Sequence, residues 1–137
     1  MQLDAARDFI REHHRAVMAT RRADGAPQMS IVAANVDADG RVIVSTRETA
    51  VKTKNLRRDP HVSFCILPED GWSGQWIQVD GTATVLSLPE AMEPLVEYYR
   101  STAGEHPDWD DYRAAMVRDR RVIMAITIER IGPNVSG

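Results

Sequence analysis

The stretch that decides the fold is RAVMATRRADGAPQMSIVAANVDADGRVIVST, residues 15–46. It holds three short apolar-rich runs separated by two Asp-Gly dipeptides. In chain order these are the run 15–20, the turn Asp24-Gly25, the run 28–36, the turn Asp39-Gly40 and the run 41–46. Asp-Gly between such runs is typical of tight hairpin turns. We therefore predict three strands joined by hairpins and paired antiparallel.

The rest of the chain predicts three more strands and four helices. They are a helix over 4–13, a helix from the N-cap Thr49 to Asp59-Pro60, strands over 61–67 and 75–86, a helix opened by the capping box of Ser87 and Glu90 and ended by Gly104, a helix capped by Asp108, and a strand over 122–131. Gly81 lies inside a predicted strand and indicates a bulge or a sharp barrel corner.

These elements predict an α+β fold, a six-stranded, mostly antiparallel split β-barrel with flanking helices, forming a single domain over residues 1–137. Strands that alternate regularly with crossover helices, as in a doubly wound nucleotide fold, are not what the pattern predicts. Closure of the sheet into a small barrel removes exposed edges from so short a chain.

Bulk composition narrows the function classes. The formal net charge is −3, whereas nucleic-acid-binding domains are usually basic. No apolar run approaches the roughly 18 residues of a membrane span, and the residues Met1-Gln2-Leu3-Asp4 lack the layout of a signal peptide. The single cysteine, Cys65, excludes an internal disulfide and is typical of a reducing compartment. We expect a cytoplasmic protein that binds neither nucleic acid nor a membrane.

Standard catalytic motifs are missing from the sequence. It contains neither a G-x-x-x-x-G-K-[ST] loop nor a G-x-G-x-x-G fingerprint. The four histidines have no partners at metal-ligand spacing, so we expect no metal site. Cys65 lies in the middle of a predicted strand between Phe64 and Ile66, where packing explains it better than nucleophilic chemistry.

Two lysines stand early in the helix that follows Thr49. Helices usually carry acids in the first turn, yet here Lys52 and Lys54 occupy that region. Free N–H groups together with added lysines form an anion site. A solvated basic helix at the surface explains these residues equally well, so both interpretations stay open.

Two further features suit a planar ligand. Trp72 and Trp76 bracket the start of a predicted strand, where they form either the wall of a ligand site or core and subunit packing. In the run 28–36, Gln28 and Ser30 alternate with Met29 and Ile31, which indicates either a ligand-facing polar surface or ordinary solvent-facing alternation.

Several stretches resemble a known superfamily over nearly the whole chain. They are Ala19-Thr20; Asp24-Gly25-x-Pro27-Gln28-x-Ser30; Val44-Ser45; Lys52-Thr53-Lys54-Asn55-Leu56-Arg57-Arg58-Asp59-Pro60; Asp70-Gly71-Trp72; Gly81-Thr82-Ala83; and Ala103-Gly104-Glu105-His106-x-Asp108-Trp109-Asp110-Asp111-Tyr112-Arg113. The sequence is similar to the pyridoxamine-5′-phosphate-oxidase-like, FMN-binding split-barrel superfamily. It most resembles the actinobacterial branch that binds the deazaflavin coenzyme F420.

The resemblance implies a homodimer with the cofactor in a groove between the subunits. It implies an F420-dependent oxidoreductase that transfers a hydride from reduced F420 to a small planar conjugated acceptor. Two alternatives stay open: an FMN-dependent enzyme related to pyridoxamine phosphate oxidation, and a non-catalytic protein that stores or delivers the deazaflavin.

Carried over by position, the resemblance also implies a set of cofactor-binding residues. Lys52 and Asn55 would hold the phosphate, Gln28 and Ser30 would bond the ring or ribityl region, and an aromatic wall would come from the partner subunit. The complete set is Gln28, Ser30, Ser45, Thr46, Lys52, Thr53, Asn55, Trp72, Trp76 and Arg100.

Overall fold

The computed structural model describes residues 1–68 and 74–133. Its elements are α1 (Leu3–Glu12), β1 (Arg15–Arg21), β2 (Pro27–Ala33), β3 (Asn35–Val36), β4 (Val42–Arg47), α2 (Val51–Arg58), β5 (His61–Ile66), β6 (Ile77–Leu86), α3 (Met92–Ala103), α4 (Trp109–Arg118) and β7 (Arg121–Gly132). The α+β class and the antiparallel pairing are confirmed. No helix in the described ranges combines the length and apolar character that a membrane crossing requires.

All the described strands belong to one antiparallel sheet in the order β2-β1-β5-β6-β7-β4-β3. The sheet has seven strands, so the predicted six is wrong by one. The difference arises at Ala34, a buried residue whose N–H donates to the His14 carbonyl at 2.7 Å. The predicted strand 28–36 is thereby divided: its first part pairs with β1 and its last two residues pair with β4.

The sheet curls into a half-barrel around an apolar core. Cα atoms of β2 come within 8 Å of Cα atoms of β4, although no hydrogen-bonded ladder joins the two strands. We call this gap between β2 and β4 the seam. Met18, Phe64, Val79 and Met124 fill the interior, and Leu56 from α2 packs into the same core.

The outer side of the sheet is covered unevenly. On β4 and β7, a second apolar cluster packs Ile43, Ile123 and Ala125 against α3 and α4. On β2, by contrast, Met29 and Ile31 are 63% and 74% exposed. Neither apolar side chain is buried by another part of the described chain.

The alternation of β2 therefore runs opposite to ordinary solvent-facing alternation. Gln28 and Ser30 are half-buried and share the face of their buried register partners Thr20 and Met18, which is the barrel side. The apolar residues point outward. The sequence predicts that side chains alternate along β2 with a period of two. The structure places the polar residues on the inner face of the sheet.

Three local features predicted from the sequence, a bulge and two helix ends, are present in the structure. The bulge at Gly81 is confirmed by a register shift between Asp80 and Gly81. Gly104 ends α3 with a φ of +84°, and Asp108 caps α4 by accepting from the Asp111 N–H.

Two predicted N-caps are wrong. Helix α2 follows Ala50 rather than Thr49, and it has no side-chain cap. The Ser87–Glu90 capping box does not form, because α3 starts only after Ala91. The Ser87 hydroxyl instead accepts a hydrogen bond from Arg57 at 2.8 Å.

Candidate functional site

Helix α2 follows β4 and packs against β1 and β6, and Lys52 in its first turn contacts Ser30 of β2. Its first turn contains no acidic residue. Thr53 is fully buried, and its hydroxyl donates to the Arg47 carbonyl at 2.6 Å, which fixes the turn between β4 and α2. The N–H groups of Val51 and Lys52 find no acceptor within the described chain. These donors and the helix dipole suit an anion.

Lys52 extends from α2 across the seam. Its Nζ lies 3.5 Å from the Ser30 Oγ on β2, a long contact that leaves the ammonium able to donate elsewhere. Burial lowers the pKa of Lys52, and the positive charge of Arg121 lowers it further. No carboxylate in residues 1–68 or 74–133 forms an ion pair with this lysine. The ammonium is half-buried and uncompensated.

Asn55 lies one turn further along α2, and its amide is already bonded within the chain. Its Nδ2 donates to the Thr20 Oγ1 at 3.0 Å, and the Thr20 hydroxyl donates to the Gln28 Oε1 at 3.1 Å. Arg58 donates to the Asn55 Oδ1 at 3.1 Å. Asn55 therefore holds α2 against β1 and orients Gln28 through Thr20.

Thr20 is a residue of the candidate site that the sequence did not predict. It is 1% exposed and joins Asn55 to Gln28. The available signal was its place in the matched pair Ala19-Thr20, at the end of a strand that turns into the hairpin containing Gln28.

The last residues of β4 form the other side of the seam. Thr46 is buried on the barrel side, whereas Ser45 is half-buried on the α3 side. Tyr98 of α3 reaches the same region, and its hydroxyl donates to the Ala33 carbonyl of β2 at 2.7 Å. Burial raises the pKa of Tyr98, an effect that the backbone of Ser45 and the charge of Arg121 oppose. Tyr98 and Lys52 thus both span from one side of the seam to the other.

Two predicted residues, Trp76 and Arg100, do not join this group within one chain. Trp72 lies outside the described residues. Trp76 is 40% exposed and precedes β6, three strands away from β2 in the sheet, where it lines a pocket of about 220 Å³. The guanidinium of Arg100 donates to Glu105 at 2.7 Å and to Glu97, and it lies over the Trp109 ring at 5.0 Å. Its charge is therefore neutralised by neighbours on its own helix and the following loop.

Another pocket, of about 430 Å³, is lined by residues of β1, β5, β6 and β7. Asp80 lies in it and accepts hydrogen bonds from Ser63 at 2.6 Å and from Arg130 at 2.8 Å. Burial raises the pKa of Asp80, but these hydrogen bonds outweigh burial and leave it lower than usual. Asp80 and Arg130 form an ion pair here, so this arginine is compensated, unlike Lys52 at the seam.

The donor set at the seam suits a phosphate-bearing cofactor. The Lys52 ammonium, the Ser30 hydroxyl and two backbone N–H groups are hydrogen-bond donors, and no carboxylate of the described chain opposes them. Within the described ranges, no group of three His, Cys, Asp or Glu residues is placed to hold a metal ion. The arrangement can bind an anion and a polar planar group.

The chain is similar to a known protein family and to several solved structures. The family model described as pyridoxamine 5′-phosphate oxidase matches residues 3–134. The conserved hypothetical protein Rv2991 from Mycobacterium tuberculosis is similar, with 25% identity and a TM-score of 0.78, covering 100% of this chain and 92% of that one.

Two further structures share the fold at lower identity. One is described as an F420 reductase, with 17% identity, a TM-score of 0.71 and coverage of 91% of this chain and 94% of that chain. The other is HutZ, the haem storage protein of Vibrio cholerae, with 17% identity, a TM-score of 0.71 and coverage of 96% and 94%. At these identities, the similarity establishes the split-barrel fold alone.

Proposed function

Because the chain belongs to the pyridoxamine 5′-phosphate oxidase family, we propose that it is an oxidoreductase that uses reduced coenzyme F420. In this proposal the acceptor is a small planar conjugated molecule. The fold shared with an F420 reductase supports the choice of cofactor, as does the resemblance of the stretch Asp108-Trp109-Asp110-Asp111-Tyr112-Arg113 to the deazaflavin branch. The lone cysteine suits a cytoplasmic site of action.

One observation carries the proposal: an uncompensated lysine at the N-terminus of α2 reaches Ser30 across the seam. A half-buried ammonium with no carboxylate partner is costly unless an anion neutralises it. The phosphate of a flavin-type cofactor is such an anion. We assign Lys52, Ser30 and the N–H groups of Val51 and Lys52 to that phosphate, with Ser45 and Thr46 beside them.

The remaining residues of the proposal orient the cofactor. When bound, reduced F420 supplies the hydride, so the protein contributes binding and orientation. The Gln28 amide, held in place by Thr20, lies next to Ser30 on the barrel side of β2 and would bond the polar edge of the ring system. Asn55 acts as a positioning residue, because its hydrogen bonds fix both Thr20 and α2.

Titration of the purified protein with F420 and with FMN tests the cofactor. We expect saturable binding of F420 and weaker binding of FMN. The fluorescence of the ligand measures both. Tighter binding of FMN would replace the proposal with an FMN enzyme, which the same phosphate donors also suit. Binding of neither cofactor would contradict a flavin-type function.

Turnover separates an enzyme from a carrier. We expect reduced F420 to be oxidised in the presence of menadione-like or tetrapyrrole acceptors. Tight F420 binding without turnover across a broad acceptor panel would favour a protein that stores or delivers the deazaflavin.

We further propose that two copies of the chain pair through the outer face of β2. Met29 and Ile31 are apolar, adjacent on one face and mostly exposed. An edge strand with such a surface is usually covered in the native assembly. Pairing would also allow Trp76, which is remote from the seam of its own chain, to reach the seam of the partner.

Ile31→Lys should weaken this dimer strongly. Burying an unpaired lysine in an apolar interface costs more than the lost contact alone, so we expect the dimer dissociation constant to rise by about tenfold or more. Analytical ultracentrifugation over a concentration series measures the change. Val117→Lys is the matched control, since Val117 is 60% exposed on α4. Equal dimerisation of the two variants would exclude the outer face of β2 as the interface.

A further inference from the structure

Arg121, the first residue of β7, has a buried donor without an acceptor. Its Nε is inaccessible to solvent and makes no hydrogen bond within the described chain. Its register partner on β4 is Arg47, which is exposed and also basic. None of the ion pairs between described residues includes Arg121. A buried guanidinium N–H without an acceptor is unfavourable.

The groups around Arg121 cannot satisfy it. Its charge acts on Lys52, Tyr98 and Tyr112, which come from three different helices. Both tyrosine hydroxyls donate elsewhere, Tyr98 to the Ala33 carbonyl and Tyr112 to the Leu95 carbonyl at 2.8 Å. Burial raises the pKa of Tyr112 to about 12, although Arg121 opposes the rise, so the tyrosine stays neutral at ordinary pH. Glu48 lines a pocket with Arg121, but its carboxylate accepts a hydrogen bond from Arg57 at 2.8 Å. Lys52, the other charged group on which Arg121 acts, is a second cation.

Several other arginines have acceptors within the described chain, which Arg121 lacks. Arg57 donates to Glu48 at 2.8 Å, and Arg58 donates to the Arg21 carbonyl at 2.7 Å. Arg100 is bound by two glutamates. An exposed arginine such as Arg47 can donate to solvent, whereas the unbonded Nε of Arg121 is buried and cannot.

We propose that Arg121 is a second binding residue for the anion of the cofactor and acts together with Lys52. We call these two residues the cation pair. The inference rests on the proposed function for the identity of the cofactor, but the anion itself is of a simpler class: a phosphate or a similar oxyanion. A guanidinium complements the oxygens of a phosphate through directed N–H bonds, and an ammonium adds a point charge. An anion between them supplies the acceptor that both lack.

Inorganic phosphate tests the cation pair without any cofactor. The measurement is the midpoint of thermal unfolding of the whole chain at low ionic strength, with and without phosphate. Phosphate that binds the native state raises the midpoint by mass action. We expect a clear rise in the wild type and a phosphate affinity at least about tenfold weaker in Arg121→Met, because a charged hydrogen bond is lost.

A matched control separates specific binding from a general loss of charge. Arg118→Met removes an exposed arginine at the end of α4, and its phosphate response should equal that of the wild type. Arg121→Lys keeps the positive charge but lacks the planar set of N–H donors of a guanidinium. It should therefore retain part of the rise in unfolding midpoint that phosphate causes. In the absence of phosphate, Arg121→Met should unfold at the same temperature as the wild type or higher, because the uncompensated charge is gone.

Two results of the phosphate experiment would overturn the inference. One is a phosphate response in Arg121→Met equal to that of the wild type. The other is a loss of phosphate-free stability in both Arg121→Met and Arg121→Lys, which would make the arginine a structural residue. Failure of the cofactor proposal has a different signature: the phosphate response depends on Arg121, but neither F420 nor FMN binds. Conversely, equal F420 binding by the wild type and Arg121→Met would refute the cation pair and leave the cofactor proposal intact.

Discussion

Lys52→Ala is expected to weaken cofactor binding by about 10- to 150-fold. This range corresponds to the roughly 1.5–3 kcal/mol of a hydrogen bond to a charged group. The lysine is half-buried, has no carboxylate partner in the described chain and makes only a 3.5 Å contact with Ser30. Most of its donor capacity is therefore available for the phosphate. Fluorescence titration with F420 and FMN measures the loss.

Lys54→Ala is the control for that experiment. Lys54 lies on the same helix and carries the same charge, but it is exposed. The two variants therefore change net charge and helix composition equally. We expect Lys54→Ala to bind the cofactor almost as the wild type does. Equal losses of cofactor affinity in both variants would indicate general electrostatic attraction. No loss of affinity in either variant would contradict the assignment of Lys52 to the phosphate.

The pH dependence of binding gives a second readout for the same residue. Burial and the charge of Arg121 lower the pKa of Lys52, so it loses its proton at a lower pH than an exposed lysine does. Only the protonated form attracts the phosphate. Affinity should therefore fall as the pH rises through that pKa, and this component of the fall should be missing from Lys52→Ala.

Gly81→Ala is expected to destabilise the fold by about 3 kcal/mol, which lowers the unfolding midpoint by roughly 10 °C. A Cβ at this position would lie 2.2 Å from the Thr127 carbonyl oxygen and 2.7 Å from the Ile126 Cγ2. The first of these atoms belongs to the backbone of β7, which is paired with β6 on both sides of the bulge. The clash cannot be relieved by rotating a side chain. Thermal and urea unfolding measure the effect.

Gly25→Ala provides the comparison for this prediction. Gly25 has a φ of +88°, but a Cβ there would meet nothing within 4 Å. Only the backbone strain of about 1–2 kcal/mol applies. If Gly81→Ala costs no more stability than Gly25→Ala, close approach to β7 is not the reason for glycine at position 81.

Much of the fold is predictable because it depends on neighbours in sequence. Asp-Gly turns, the stop at Gly104, the cap at Asp108 and the bulge at Gly81 are all local chemistry. The errors involve distant partners. The division of strand 28–36 depends on the hydrogen bond from Ala34 to His14. Likewise, the Ser87 hydroxyl is bonded to Arg57, thirty residues away, and this contact is invisible to a capping rule.

The candidate site, too, was predictable only where it depends on local sequence. The absence of acids in the first turn of α2 indicated Lys52 from local sequence alone. Alternation on β2 separated Gln28 and Ser30 from Met29 and Ile31, but a period of two does not say which face turns inward. That choice is made by the core beneath β1.

The arginines show why residue type alone is insufficient. Arg100 was predicted from its position on α3, yet Glu97 and Glu105 neutralise it. Arg121 carries no local signal at all, because its neighbours come from α2, α3 and α4. Which arginine retains a free charge is decided by tertiary contacts.

Helix α2 packs into the core and also carries the proposed anion site, and this combination has an evolutionary consequence. Its eight residues contribute Leu56 to the core and, in the proposed function, Lys52 to the anion site. Mutational drift on its buried face therefore alters folding and ligand choice together, and selection acts on the two traits as one. Val51, 54% exposed and next to the lysine, escapes that linkage. On the proposed function, it is a position at which a lineage can acquire a new ligand preference without first losing a folded barrel.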